Sequence, residues 1–150
     1  MKKILIILGL VTCISAFSQE YNDTTNIYYK SLKLHIAYLK SNVNNGSNNV
    51  IVEYNEQTTI NLPTQIDNFK ISYSNRDEIK KLSAKEAIQL IVIKPVVINQ
   101  NRIFVNIIDF TVNYKRGNFN YVNCGGSKIE FKYDCLNNYF KVENLKQGGI

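Results

Sequence analysis

Tryptophan is absent from this chain, histidine and methionine each occur once, proline occurs twice and cysteine three times in 150 residues. The single histidine, His35, rules out a multi-histidine metal centre. A zinc site would need Cys124, Cys135 or carboxylates to complete it, and no clustered ligand motif supplies them. Glycine is sparse, and no phosphate-cradling glycine loop or nucleophile elbow is present. The residues therefore imply no metal and no cofactor. After the N-terminal segment, no apolar run is long enough to cross a bilayer as a helix, which takes about 20 residues. Asparagine, isoleucine, lysine and tyrosine are used heavily, as codon bias in an AT-rich genome produces without functional demand.

The beginning of the chain carries an address. Lys2 and Lys3 form a positive n-region, Ile4 to Val11 an apolar h-region, and Ala16 and Ser18 place small residues at the positions a signal peptidase reads. Residues 1–18 are thus expected to be a signal peptide, with a mature chain starting near Gln19 in the periplasm or outside the cell. Leu10-Val11-Thr12-Cys13 resembles the lipobox of bacterial lipoprotein precursors, which would instead acylate Cys13. Thr12, and the apolar residues after Cys13, depart from that motif. The formal charge of +6 includes Lys2 and Lys3, so the mature chain keeps 16 basic against 12 acidic residues, a net +4. The lysines alternate with acids, as in Lys128 to Asp134. That is the pattern of a solvated strand face and not of a nucleic-acid patch.

The expected organisation is a polar arm over residues 19–25, one domain over 26–145 and a frayed tail over 146–150. Asp23-Thr24-Thr25 in the arm resembles the O-glycosylation signal of exported proteins in some Gram-negative bacteria. Leu32, Ile36, Leu39 and Val43 recur at spacings of four, three and four, which predicts an amphipathic helix from about Asn26 to Ser41. An Asn-Gly loop stops it. A short strand follows at Val50 to Tyr54, and Phe69, Ile71 and Tyr73 alternate with Lys70 and Ser72 in the period of a half-wet strand. Ser74 with Asp77, or Asn75 with Glu78, offers a capping box for a short second helix burying Ile79 and Leu82.

Ile88 to Ile98 and Ile103 to Tyr114 are two β-rich runs forming a hairpin, the first disturbed at Pro95. In the second, both alternating sets are apolar, so Ile107 and Ile108 should lie on opposite covered faces. Gly125-Gly126 reads as a tight turn. Beyond it Ile129, Phe131, Tyr133 and Cys135 share an inward face, and Tyr139 to Leu145 returns antiparallel. The sum is an α+β fold: an N-terminal amphipathic helix packed on a curved, mostly antiparallel sheet of four to six strands, with a short second helix. The order of elements resembles that of cystatin-like and nuclear-transport-factor-like rolls, an architecture that dictates no function.

Candidate chemistry is thin. Asp109 interrupts an apolar strand, and if the first helix packs across that face His35 and Asp109 meet as an acid–base dyad. Tyr114, Tyr121 and Tyr139 are candidate binding residues, since exposed tyrosine adds contact area at little entropic cost. Cys124 and Cys135 are expected as free thiols, because an extended strand between them holds their Cα atoms beyond the roughly 7 Å a disulfide spans. The reading is an exported binding or interaction domain, not an enzyme, whose partner is an unknown protein or envelope component. Its alternatives are an envelope inhibitor or immunity protein against a toxin, and a ligand-binding or enzymatic roll built on a His35/Asp109 pocket.

Overall fold

A computed structural model describes residues 26–42, 48–100 and 102–148. The expected signal sequence and arm, with Cys13 and Asp23-Thr24-Thr25, and Val43 lie outside the described residues.

Helix α1 spans Ile27–Asn42. Asn26 caps it, its side-chain Oδ1 accepting from the Tyr28 and Tyr29 amides at 3.1 and 3.0 Å and satisfying two of the orphan donors of the first turn. Leu32 and Ile36 are fully buried and Leu39 packs against the same core, as the spacing predicts. Strand β1 (Asn49–Glu53), the two-residue β2 (Gln65–Ile66) and β3 (Phe69–Ser74) follow. Helix α2 (Arg76–Ser83) then opens on a complete capping box. Asn75 accepts from the Asp77 and Glu78 amides, and the Glu78 carboxylate accepts from the Asn75 amide at 3.0 Å. The Asn75–Glu78 alternative is the one used. Ile79 is buried, but Leu82 is exposed and the small Ser83 takes the inward place, its hydroxyl donating to the Ile79 carbonyl. In so short a helix the face that meets the sheet follows i and i+4 rather than i and i+3.

Strands β4 (Ile88–Ile93), β5 (Val97–Asn99), β6 (Arg102–Lys115), β7 (Asn118–Asp134) and β8 (Tyr139–Gly148) complete the fold. The sheet runs β2–β3–β1–β4–β6–β7–β8, with β5 also on β6. β1 pairs in parallel with β3 and β4, and every other pairing is antiparallel. The sheet has eight strands where four to six were expected. Two of the extra pieces are short: β2 has two residues, and β5 is split from β4 at Pro95, which has no N–H for the ladder.

The two helices cover opposite faces. Beneath α1 lie Val50, Val52, Ile71, Ile91, Ile93, Val105, Ile107, Ile129 and Phe131. Ile79 of α2 packs with Ile88, Leu90, Val92 and Val112 on the other side. β4 is therefore apolar on both faces. β6 is covered by α1 over Val105 and Ile107 and by α2 over Val112, and Ile108, on the face opposite α1, is only half-buried.

The largest departure from the sequence reading is β7. Gly125 and Gly126 do not turn the chain; they continue one long strand with φ of 130° and 151°. The register slips beside them, Asp109 facing Gly125 and Phe110 facing Asn123, so Cys124 is the extra residue of a β-bulge. Glycine is required at 126, where a Cβ would lie 2.1 Å from the Ile107 carbonyl oxygen. The β6–β7 reversal sits at Arg116 and Gly117, with φ of 53° and 85°. Those are the left-handed values of a two-residue hairpin turn. Tyr133 and Cys135 are exposed where burial was expected, Tyr133 near the end of β7 and Cys135 in the turn beyond it. β8 continues past Leu145 to Gly148, with Lys146 and Gln147 paired to Lys128 and Ser127.

Candidate functional site

Helix α1 and the inner face of the sheet bring four polar residues into one line. His35 lies three residues after Leu32 and one before Ile36, so it shares the face that α1 presses onto the sheet, and it is 0% exposed. Asp109 projects from β6 toward the same helix because it follows Val105 and Ile107 at the strand period. Its Oδ1 is 2.8 Å from His35 Nε2, with the Asp109 side chain 17% exposed. The two sequence candidates thus do meet across the helix–sheet seam.

The other ring nitrogen, Nδ1, is 2.8 Å from the hydroxyl of Ser127, itself 3% exposed. Gln147 of β8 closes the line: its amide donates to Ser127 Oγ and to the Leu34 carbonyl, both at 3.2 Å. The donors and acceptors are mutually consistent. The carboxylate can only accept, which puts a proton on Nε2; an unprotonated Nδ1 accepts the Ser127 hydroxyl, and Ser127 Oγ accepts from Gln147. Every buried polar group in the line has a partner, as burial in a low-dielectric seam requires.

Ser127 and Gln147 were missed in the sequence. Counting back by two from Ile129 reaches Ser127, but only if Gly125 and Gly126 are read as extended. Gln147 lies in the segment expected to be a frayed tail.

The composition Asp–His–Ser suggests acyl-transfer chemistry, which also demands that the hydroxyl face a space where a carbonyl can sit. Ser127 does not. On an extended strand neighbouring side chains take opposite faces. Ser127, paired with Ile107, points inward beneath α1. Lys128, paired with Asn106 and Lys146, points outward. A shallow depression of about 350 Å³ has Ser127 and Gln147 in its lining together with Ile108, Gly126, Lys128 and Lys146, but Ser127 is only 3% exposed there. It opens on the outer face, where Lys128 and Lys146 project. Among the described residues no group of three or more His, Cys, Asp or Glu side chains stands in position to hold a metal ion.

Comparison with models of protein families, with curated proteins and with solved structures finds no match. The site is therefore read from its own geometry.

The three tyrosine candidates do not converge on one patch. Tyr114 and Tyr121 lie on the α2 face in ring contact with Phe119 at 4.9 and 5.7 Å, and Phe110 meets Tyr121 edge-on at 5.5 Å. Tyr139 stands at the start of β8, where Lys30 reaches its ring at 5.7 Å. The Tyr121 phenol is pushed above its ordinary pKa, first by burial and then by the charge of Glu53, with Arg76 opposing.

A second surface feature was not anticipated. At the end of the sheet near the start of α1, Ile103, Tyr133, Asn138 and Phe140 line an apolar groove of about 560 Å³. Ile98 and Leu136, 71% and 96% exposed, belong to β5 and to the β7–β8 turn at this same end. Cys124 and Cys135 are free and exposed. Among the described residues no helix is long and apolar enough to cross a membrane.

Proposed function

We propose that this protein is an exported binding domain, acting by surface contact and not by chemistry. One observation carries the reading: the one constellation of catalytic composition among the described residues, Asp109–His35–Ser127, is buried between α1 and the sheet, its hydroxyl already engaged by His35 and Gln147. In that place the line ties helix to sheet. It satisfies polar groups that fix how α1 lies, and it offers no position for a reacting atom. Exposed apolar side chains at the Ile98–Leu136 end add to the case, since contiguous apolar surface on a water-exposed protein commonly marks a contact site.

The Asp–His–Ser line by itself favours a second reading, a serine hydrolase in which α1 lifts to admit substrate. A fluorophosphonate probe separates the two. The binding reading expects no labelling of the folded protein, whereas labelling that disappears in Ser127→Ala would establish the hydrolase. Crosslinking of the tagged domain in its native envelope fraction, read by mass spectrometry, is expected to return a defined partner. The N-terminus of the exported form is expected near Gln19.

A further inference from the structure

The edge of the domain formed by α2 and the β6–β7 hairpin combines charge with aromatic surface in a way the buried line does not explain. Past Asp109, the even-numbered residues of β6 face α2, and so do the odd-numbered residues of β7 before its bulge. Phe110, Tyr121, Phe119 and Tyr114 therefore touch in series, at 5.5, 5.7 and 4.9 Å between ring centres. Arg76 and Lys80 are four residues apart and so share one side of α2. The Arg76 guanidinium lies 5.2 Å from the Phe119 ring and the Lys80 ammonium 4.9 Å from the Tyr114 ring.

Neither cation has an ion pair within 4 Å among the described residues. Contact with a ring orients a cation but leaves its charge unneutralised. Of the acids close by, Glu78 is held in the α2 capping box and Asp77 sits in the first turn. Glu53 acts on the Tyr121 phenol, on which Arg76 also acts, without pairing with Arg76 within 4 Å. Lys115 and Arg116 add two exposed cations at the hairpin turn. Beside these charges lies exposed apolar area from Tyr121, 39% exposed.

We propose that this edge docks a protein partner that presents carboxylates beside apolar side chains, a proposal that rests on the binding-domain reading. Charge complementarity supplies the sign: cations held over rings and lacking acidic partners match an acidic surface. The aromatic area decides the class. A heparin-like sugar is held mainly by charge, and a nucleic-acid strand needs open ring faces on which to stack its bases, whereas Arg76 and Lys80 already lie over the Phe119 and Tyr114 rings. Tyrosine and arginine around a desolvated apolar centre are the residues that dominate protein–protein contacts.

The test is fluorescence anisotropy on the full mature domain with three probes: a fluorescein-labelled peptide of alternating glutamate and leucine, a glutamate-only peptide, and a labelled heparin oligosaccharide. The mixed peptide is expected to bind tightest. The double variant Arg76→Gln/Lys80→Gln should weaken it about tenfold, as should Tyr121→Ser. The double variant Lys141→Gln/Lys146→Gln, the same charge change on β8, should leave it unaltered. Circular dichroism of each variant confirms that the fold is kept.

Equal loss in both double variants, or preference for heparin, would overturn the proposal by showing bulk charge attraction. The crosslinking experiment tells this failure apart from failure of the broader reading. A partner captured equally well by Arg76→Gln/Lys80→Gln removes this surface and keeps the binding domain, and no partner captured by the unaltered protein removes both.

Discussion

His35 makes sense only together with the three groups that face it. A fully buried imidazole with both nitrogens bonded contributes fixed geometry, and removing one neighbour leaves an unpaired polar atom in a dry place. Ser127→Ala should cost about 1–3 kcal/mol, the penalty of an unsatisfied Nδ1. His35→Ala should cost about 2–5 kcal/mol, since it also opens a cavity beneath α1. Urea denaturation of both variants checks the order, and a neutral Ser127→Ala would mean that the hydroxyl is not held as described. The cysteines carry a second residue-level expectation. Cys124 occupies the bulge and Cys135 follows the end of β7, with extended chain between them. Alkylation under denaturing conditions without reductant should therefore modify both, and a bridge would require β7 to be broken.

For the individual elements, burial decides the cost of equal changes. Ile107 and Ile108 look alike in sequence, yet Ile107 is enclosed by α1 and Ile108 is half-buried on the opposite face. Ile107→Ala should cost about 2–5 kcal/mol, and Ile108→Ala clearly less in the same urea titration. The β7–β8 turn carries a pH signature. The Asn137 side-chain amide, helped by the Asn137 and Leu136 backbone amides, holds the Asp134 carboxyl below its ordinary pKa. A carboxyl lowered in the folded state adds stability above its unfolded pKa, and that stability is lost as pH falls through the folded value. Asn137→Ala should move the Asp134 titration back toward the ordinary carboxylate range, as followed by carboxyl-carbon NMR. An unmoved titration would assign the effect to the backbone amides.

For the molecule as a whole, a closed core and an open apolar end make separable predictions. Ile98→Ser with Leu136→Ser should change stability by no more than about 0.5 kcal/mol each, because neither side chain is packed. The same change should lower binding of an apolar dye such as ANS and reduce capture of any partner that uses the groove. A large loss of stability would instead place these side chains in the core.

Local pattern by itself determined α1, a capping box at Ser74 or Asn75 opening α2, the β4–β6 pairing with its break at Pro95, and the inward set Ile129 and Phe131. It also identified His35 and Asp109 as a pair to watch, because one histidine and one acid each stood on an apolar face. These features depend on neighbours a few residues apart, and period and capping are written at that range. Only the tertiary structure decided that Gly125-Gly126 runs straight through β7, since two glycines permit a turn and a bulge equally and the choice lies with the pairing to β6. That choice turned Ser127 inward, paired Gln147 opposite it, and converted a possible dyad into a closed four-residue line. The exposure of Leu82 and Cys135, and the gathering of Arg76 and Lys80 over the β6–β7 rings, were likewise set by which surface each element meets. Contacts between residues distant in sequence leave no local pattern from which to read them.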